Sequence, residues 1–301
     1  MKSNRRTFIK TGALALAGTA FLNNSSYAAP GKKGIIGLQL YSIRDDMSRD
    51  PLGSLKKLAE AGFEYLEHAS YTDRKFYGYP ATEFKKILDD LGLKMISGHT
   101  EMGRQQWDEA RKDFSNSWKF TLEDAAILGQ KYVVSPWINE DIRKNYGDFR
   151  SFLDVFNKCG ELCKKQGMKF GYHNHNFEFS EKLNGESLFD IIMKSIDPDL
   201  VVMQLDTGNL FDGGAVALDV VNRYPGRFEN VHVKDVKKSD ETGKYESVII
   251  GEGVADVRKV IELIKSTGGA QVMIIEQESY QDATPMESVK RDLEVMKNWK
   301  I

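Results

Sequence analysis

Acidic side chains stand at the ends of strongly apolar segments in this chain. Asp206 closes the run VVMQLD, Glu276 closes the run VMIIE, and Glu67 lies in the segment YLEHA. A carboxylate inside an apolar strand costs much free energy unless it is paired with a cation or binds a metal. Each acid is therefore interpreted either as half of a buried salt bridge or as a metal ligand.

The histidines follow the same pattern. The chain has only five, and each one ends or follows an apolar segment: His68, His99, His173, His175 and His232. A hydrogen-bonded structural histidine is the alternative explanation for any single one. Carboxylates and imidazoles that converge on one point suit a divalent cation such as Mn, Zn, Mg or Co. The sequence thus predicts a divalent metal ion as cofactor.

A repeat of helix and strand positions these residues. Amphipathic helical runs end at a glycine, and β-prone residues follow at once, in six places: Gly62, Gly92, Gly129, Gly167, Gly226 and Gly268. Glycine is favoured just past a helix C-terminus because it adopts the left-handed conformation cheaply. A seventh break falls at Asp197-Pro198, and an opening strand over 35–41 brings the number of predicted strands to eight. The last predicted helix spans about residues 286–299.

Alternation of strand and helix predicts an α/β protein with a parallel sheet. Eight such units match a (β/α)8 TIM barrel, here a single domain, whose functional residues lie at the C-terminal ends of the strands. A doubly wound open sheet is the alternative. It usually carries a glycine-rich turn after its first strand, whereas this chain has YSIRDDMS there.

Composition excludes several classes of protein. Hydrophobic residues make up 41% and charged residues 29% of the 301 residues, which is typical of globular chains and not of disordered ones. With 42 basic and 44 acidic residues the formal net charge is -2, so we expect no nucleic-acid partner. Cys159 and Cys163 are four apart in a predicted helix. We expect buried thiols there, because two cysteines on adjacent turns of one helix rarely form a disulfide.

The first 28 residues are interpreted as a signal peptide. A basic start is followed by an apolar run over 11–22, which is too short to span a membrane, so no stable membrane anchor is expected. The string NRRTFIK resembles the twin-arginine export signal; an ordinary Sec signal is the alternative. Cleavage after Ala28 would leave a barrel domain within 29–301 with 38 basic and 44 acidic residues. We therefore predict a periplasmic protein that engages the export machinery as a partner.

The chain resembles the sugar phosphate isomerase/epimerase family over about residues 34–298. The stretches that carry the resemblance are GLQLYSIRD (37–45), YLEHA (65–69), SGHT (97–100), YHNHNFEF (172–179), LDTGN (205–209), VHVKD (231–235), GEGVAD (251–256) and IIEQES (274–279). The resemblance implies a xylose-isomerase-like TIM barrel. It also implies a metal set in which Asp206, His232 and Glu276 match directly.

The fourth ligand departs from the family pattern. Many relatives have Glu-Asn-His where this chain has His173-Asn174-His175, and the resemblance implies that Glu178 replaces the missing acid, with His173 as its rival. Multi-zinc relatives, including the endonuclease IV branch, have a histidine where this chain has Asn209. The resemblance therefore implies one metal and speaks against an endonuclease.

The resemblance implies proton abstraction next to a carbonyl of a carbohydrate, with Glu178 and Glu276 as the catalytic pair. If Glu178 is only a ligand, His175 or His99 becomes the acid or base. Lys234 would either stabilise an oxyanion or pair with Asp235. Expected substrate contacts are Gln39, Tyr41, Glu67, His99, Trp137 and His173.

Export and the lack of a phosphate-binding loop favour an unphosphorylated sugar as the small-molecule partner. The expected activity is a metal-dependent isomerase or epimerase. A lyase, hydratase or dehydratase on a keto-sugar, of the 3-keto-glycoside or inosose type, is one alternative. A non-catalytic periplasmic sugar-binding protein is the other. A homo-oligomeric state is compatible with either kind of function.

Overall fold

Eight parallel strands close into a barrel in the computed structural model, which describes residues 34–300. The strands are β1 (Ile35–Gln39), β2 (Tyr65–His68), β3 (Lys94–His99), β4 (Tyr132–Ser135), β5 (Lys169–His173), β6 (Val201–Asp206), β7 (Asn230–Val233) and β8 (Val272–Ile275). Each pairs with its neighbours in chain order, and β1 pairs with β8 to close the ring. The predicted single-domain TIM barrel is confirmed.

Helices cover the outside of the barrel. The main ones are α1 (Pro51–Glu60), α2 (Ala81–Asp90), α3 (Asn116–Leu128), α4 (Tyr146–Lys165), α5 (Leu188–Ser195), α6 (Ala217–Arg223), α7 (Val257–Ser266) and α8 (Pro285–Trp299). Two shorter helices, Arg44–Arg49 and Phe177–Ser180, follow β1 and β5. No helix within residues 34–300 is long and apolar enough to cross a membrane.

Local sequence signals set the helix ends. All six glycines that were expected to end helical runs have positive φ, as at Gly129 (75°) and Gly167 (76°). At the start of α8, Thr284 Oγ1 accepts from the backbone N–H of Glu287, whose carboxylate accepts from the N–H of Thr284 in return. This reciprocal pair satisfies donors that the helix itself cannot use.

Apolar residues form two separate layers. A small inner cluster fills the barrel under the functional end: Tyr132, Val134, Val202, Val272 and Ile274. A much larger cluster lies between the strands and the helices, and it includes both cysteines, which are free and fully buried as expected. Since side chains alternate along a strand, Val202 shares the inward face of β6 with Gln204 and Asp206. The inner apolar layer thus supports the polar layer above it.

Antiparallel ribbons extend the loops at the C-terminal end of the barrel. One runs through Tyr71–Thr72, Lys75–Phe76 and Tyr79–Pro80 after β2, and another pairs Asp235–Lys238 with Tyr245–Val248 after β7. These ribbons frame the mouth where the predicted functional residues end.

Candidate active site

Four side chains from neighbouring strands converge at the mouth of the barrel. One ligand atom from each of His173, Asp206, His232 and Glu276 lies within 4.8 Å of the corresponding atoms of the other three. All four residues are buried. The register explains the convergence in part, because Asp206 at the end of β6 pairs directly with His232 in β7. We refer to these four residues as the ligand cluster.

Gln204 orients His173 within the ligand cluster. Its Oε1 lies 3.1 Å from His173 Nδ1 and 2.8 Å from His99 Nε2. An amide oxygen can only accept, so both of these ring nitrogens carry a hydrogen, and His173 keeps its lone pair on Nε2, with Asn209 Nδ2 3.5 Å away. Burial, together with the nearby charges of His232 and His99, holds the pKa of His173 well below its ordinary value. A neutral imidazole is the form that binds a metal.

Glu67 orients His232 in a similar way. Its Oε1 lies 2.5 Å from His232 Nε2, while His232 Nδ1 lies 3.0 Å from Glu276 Oε2. Burial by itself would lower the pKa of His232, but the charges of Glu67 and Glu276 raise it to about 10. A carboxylate behind a ligating histidine is a common feature of metal sites, where it fixes the orientation of the ring.

Asp206 gives the clearest sign that the ligand cluster fits a metal. Its Oδ1 accepts from the N–H groups of Gly208 and Asn209, both at 2.7 Å. Its Oδ2 is buried and accepts no hydrogen bond within the described residues, although the Lys234 ammonium lies 3.1 Å away as an ion-pair partner. Burial raises the pKa of this carboxyl to about 6, although the nearby Lys234 ammonium acts against that shift. Two imidazoles and two carboxylates form a mixed nitrogen and oxygen set of the kind that Zn, Mn or Co accepts.

The structure does not bring Glu178 to the ligand cluster, and this corrects the expected ligand set. Glu178 lies on the short helix Phe177–Ser180, fully buried, where one carboxylate oxygen accepts from the Tyr172 hydroxyl and the other from the N–H of His175 at 2.9 Å. Burial raises its pKa to about 7. The rival residue His173 lies in the ligand cluster instead, while Tyr172 and the N–H of His175 hold the Glu178 carboxylate outside it.

Lys234 does not pair with Asp235 as one alternative required. It is 2% exposed, and its Nζ lies 3.1 Å from Asp206 Oδ2 and 2.9 Å from Glu276 Oε2. Asp235 instead accepts backbone N–H groups of the loop before α7. Lys234 is therefore part of the polar layer around the ligand cluster.

A cavity of about 440 Å³ opens above the ligand cluster. Its lining includes His99, His173, His175 and Glu276, together with Tyr41 and Tyr71. A second cavity of about 260 Å³ adjoins it, lined by Lys234 and Tyr245 among others, and shares His175, Asn209 and Glu278 with the first. Cavities of this size accept small polar molecules.

His175 lies at the border between the two cavities. Its half-buried ring makes a T-shaped contact with Trp137, with 5.0 Å between the ring centroids. Its side chain forms no hydrogen bond with any residue within 34–300. Burial lowers its pKa to about 3, helped by the charge of Lys234. The ring is therefore a neutral group in the cavity wall with no hydrogen-bond partner among the described residues.

The expected substrate contacts divide into two groups. Tyr41, His99 and His173 line the main cavity. Gln39 and Glu67 do not reach it. Both are fully buried, and Gln39 Nε2 donates to Glu67 Oε1 at 2.7 Å, so these two act below the cavity as supports.

Trp137 and His68 also lie outside the lining of the main cavity. Trp137 is 36% exposed, and its ring makes T-shaped contacts with the rings of His175 and Phe177. His68 lies on the other face of β2, against Phe76, and Gly98 leaves room for its ring, because a Cβ there would come within 1.8 Å of His68 Nε2. Four of the five histidines thus converge on the site, and His68 is the structural exception.

Sequence reasoning missed two supporting interactions. Gln204 lies inside the apolar run VVMQLD, so its polar side chain could have indicated a residue of the functional site. The second interaction had no local signal. Asp124 on α3 accepts from the Tyr71 hydroxyl at 2.6 Å and from Arg74 Nη2 at 2.7 Å, although these residues are 53 and 50 positions away in the chain. This contact holds the ribbon that carries Tyr71 into the cavity wall.

Several known proteins are similar to this chain. It is 26% identical over 204 residues to an inosose dehydratase from Geobacillus kaustophilus, a match that covers 58% of this chain and 64% of that enzyme. The crystal structure of a sugar phosphate isomerase/epimerase from Parabacteroides distasonis superposes with a TM-score of 0.75 at 26% identity, covering 89% of this chain and 96% of the other. The crystal structure of IolI, which holds a zinc atom, has a TM-score of 0.68 at 13% identity, covering 88% and 97%.

A family model adds the broadest match. It describes the xylose isomerase-like TIM barrel and spans residues 55–299 of this chain. Since this range covers most of the barrel and contains the whole ligand cluster, the chain belongs to the xylose isomerase-like TIM barrel family.

Proposed function

We propose that this protein is a divalent-metal-dependent isomerase or epimerase that removes a proton next to a carbonyl group of an unphosphorylated carbohydrate. The observation that carries the proposal is the ligand cluster, buried at the base of a cavity of about 440 Å³. His173, Asp206, His232 and Glu276 would hold the ion. When bound, it supplies a Lewis acid that stabilises negative charge on an oxygen beside the reacting carbon.

The side chains around the cavity have distinct roles in this proposal. His175 is assigned to proton transfer, since its ring lines the cavity and has no protein partner within the described residues. Proton transfer by a positioned side chain needs direct reach to the substrate, which the buried Glu178 lacks. Tyr41 and Tyr71 line the cavity, and aromatic side chains suit contact with the apolar face of a sugar ring.

The loop before α7 supports an unphosphorylated substrate. Loops after the seventh and eighth strands often bind phosphate in TIM barrels, through backbone N–H groups. Here Asp235 takes these donors: its Oδ2 accepts from Gly251 at 2.8 Å and Gly253 at 3.0 Å, and its Oδ1 accepts from Ala255 at 3.1 Å. These three N–H groups are therefore already engaged by a carboxylate of the protein, which supports a substrate without a phosphate group.

A dehydratase or lyase acting on a keto-sugar or inosose is the second candidate. The observation in its favour is the similarity to inosose dehydratases. Removal of a proton beside a carbonyl begins both reactions, and the same site would serve either one. The matched segment spans 64% of the first of these relatives.

A substrate screen in heavy water tests the proposal. The protein is incubated with Mn²⁺ or Zn²⁺ and with keto-sugars, aldoses and inososes, and the products are analysed by mass spectrometry. An isomerase or epimerase incorporates deuterium into a product that otherwise keeps the substrate's mass. A dehydratase product lacks one water. Neither deuterium incorporation nor mass change with any substrate, combined with no bound metal, would leave a non-catalytic sugar-binding protein.

Residues 1–28 lie outside the described part of the chain, so export remains a prediction. We propose that the enzyme acts in the periplasm after export by the twin-arginine route. This location agrees with an unphosphorylated substrate.

A further inference from the structure

Lys234 is surrounded by oxygen atoms in the same way as a bound cation. Its Nζ lies 3.1 Å from Asp206 Oδ2, 2.9 Å from Glu276 Oε2 and 2.9 Å from Asn209 Oδ1, and it also pairs with the carboxylate of Glu278. Three carboxylates and one amide oxygen thus face a single ammonium group. Oxygen donors of these kinds are those that Mg²⁺, Mn²⁺ and Ca²⁺ use in proteins.

The backbone is shaped to admit this side chain. Lys234 follows His232 on the same side of the chain, and its backbone N–H donates to Thr207 Oγ1 at 3.0 Å. Its stem crosses Gly208, where an added Cβ would come within 2.8 Å of Lys234 Cγ. A side chain at position 208 would therefore force either the stem of Lys234 or Val236, whose Cγ1 would lie 2.7 Å from the added Cβ, to shift. Since only 2% of Lys234 is exposed, burial of its charge depends on these oxygen partners.

Two of the four oxygen donors belong to the ligand cluster. Asp206 and Glu276 would each bind the metal, and each also contacts Lys234. Enzymes with two metal ions use shared carboxylates in the same manner, with the ions about 3.5–4 Å apart. Asn209 and Glu278 contact Lys234 but are not part of the ligand cluster.

We propose that Lys234 is a built-in cation in the place of a second divalent ion, and that it limits this site to one metal per chain. The inference rests on the metal site of the proposed function. Without the ammonium group, Asp206, Asn209, Glu276 and Glu278 form an all-oxygen site next to the first ion. Lys234 thus supplies one positive charge where a second metal would supply two.

Metal stoichiometry tests this inference without any substrate. Wild type, Lys234→Ala and Lys234→Arg are titrated with Mn²⁺, with calorimetry for the number of sites and electron paramagnetic resonance for coupling between ions. We expect one equivalent for wild type and Lys234→Arg. For Lys234→Ala we expect two equivalents and the signal of a spin-coupled pair. Lys237→Ala, an exposed lysine of the adjoining ribbon, is the matched control and should bind one.

The possible results separate the two proposals. One equivalent in both wild type and Lys234→Ala overturns the role of Lys234 and leaves the proposed metal site intact. A spin-coupled pair of ions in wild type also overturns the role of Lys234, because the ammonium then does not limit the site to one metal. No binding by any of the proteins overturns the metal site itself. Should Lys234→Ala fail to fold even with Mn²⁺ present, Lys234→Gln removes the charge while retaining most of the stem. Two equivalents in that variant support the inference and one equivalent contradicts it.

Discussion

Hydrogen bonds to buried carboxyl and amide groups decide which atoms the site presents. Gln204 Oε1 accepts a hydrogen bond from His173 Nδ1, and Glu67 Oε1 lies within hydrogen-bond distance of His232 Nε2. Each ring therefore has one nitrogen engaged below the cavity and the other directed to the ligand cluster. Substituting Gln204 or Glu67 should weaken metal binding although neither residue touches the ion, since such supporting groups typically contribute 10- to 100-fold in affinity.

His175 provides a test of proton transfer at the residue scale. His175→Gln keeps a polar side chain of similar size but removes the imidazole. We expect kcat to fall by about 100-fold or more, the usual contribution of a positioned acid or base, while the metal content remains that of wild type. Steady-state kinetics and elemental analysis of the same preparation check both parts. Unchanged kcat would exclude His175 as the proton-transfer group.

The sequence predicted three members of the ligand cluster, and for the fourth it favoured Glu178 over His173, which is the residue that the structure places there. Asp206 and Glu276 were recognisable because an acid at the end of an apolar strand needs a partner, and the resemblance to the family supplied His232. The choice between His173 and Glu178 depends on the turn after β5. There the short helix Phe177–Ser180 directs Glu178 toward Tyr172, and no local pattern encodes that direction.

At the scale of elements, strands and helices were predictable whereas the ribbons at the barrel mouth were not. The spacing of apolar residues indicates each helix, and a glycine marks six of the helix ends, where all six glycines have positive φ. The ribbon of residues 71–80 consists of two-residue strands that are too short to give a pattern. Its position depends on a tertiary contact with α3.

Asp124 tests the importance of that contact. Asp124→Ala removes the acceptor of the Tyr71 hydroxyl and of Arg74, so the ribbon should lose its fixed position in the cavity wall. A buried hydrogen bond to a charged group contributes about 1.5–3 kcal/mol, and we expect KM to rise by about 10-fold with a much smaller change in kcat. Glu123→Gln is the control, since this half-exposed acid lies 3.5 Å from the same arginine and should contribute little. Equal effects of the two variants on KM would refute the assignment.

Asp292 on α8 gives a prediction about pH. It is fully buried, its Oδ1 accepts from the N–H of Ile250 at 2.8 Å, and burial raises its pKa to about 7. The folded state therefore holds a proton that the unfolded state releases from about pH 4 upward. This contribution to stability is complete below about pH 4 and is lost as the pH rises through 7.

The side chain of Asp292→Asn cannot ionise. Wild type should therefore lose free energy of unfolding between pH 5 and pH 8 relative to this variant. Urea denaturation at both pH values measures the difference. Asp89→Asn, an exposed position on α2, should show no such trend. A constant difference between Asp292→Asn and wild type would mean that Asp292 is ionised throughout.

At the scale of the whole molecule, the interpretation of residues 1–28 as an export signal can be tested separately from the barrel. If residues 1–28 are a twin-arginine signal, the protein exported by a bacterial host begins at Ala29. Replacing Arg5 and Arg6 together with lysine should then retain the uncleaved chain inside the cell, because the export receptor reads the arginine pair. Mass spectrometry of periplasmic and cytoplasmic fractions measures both effects. Undiminished export of the double variant would favour an ordinary Sec signal.

Metal binding by the ligand cluster is the central claim, and a comparison of two variants tests it most directly. Zn²⁺ or Mn²⁺ affinity is measured by titration for wild type, His173→Ala and Glu178→Gln. We predict one equivalent for wild type, a loss of more than about 100-fold in affinity for His173→Ala, beyond what supporting groups cost, and near-normal affinity for Glu178→Gln. The opposite order, with Glu178→Gln losing the metal and His173→Ala retaining it, would contradict the account.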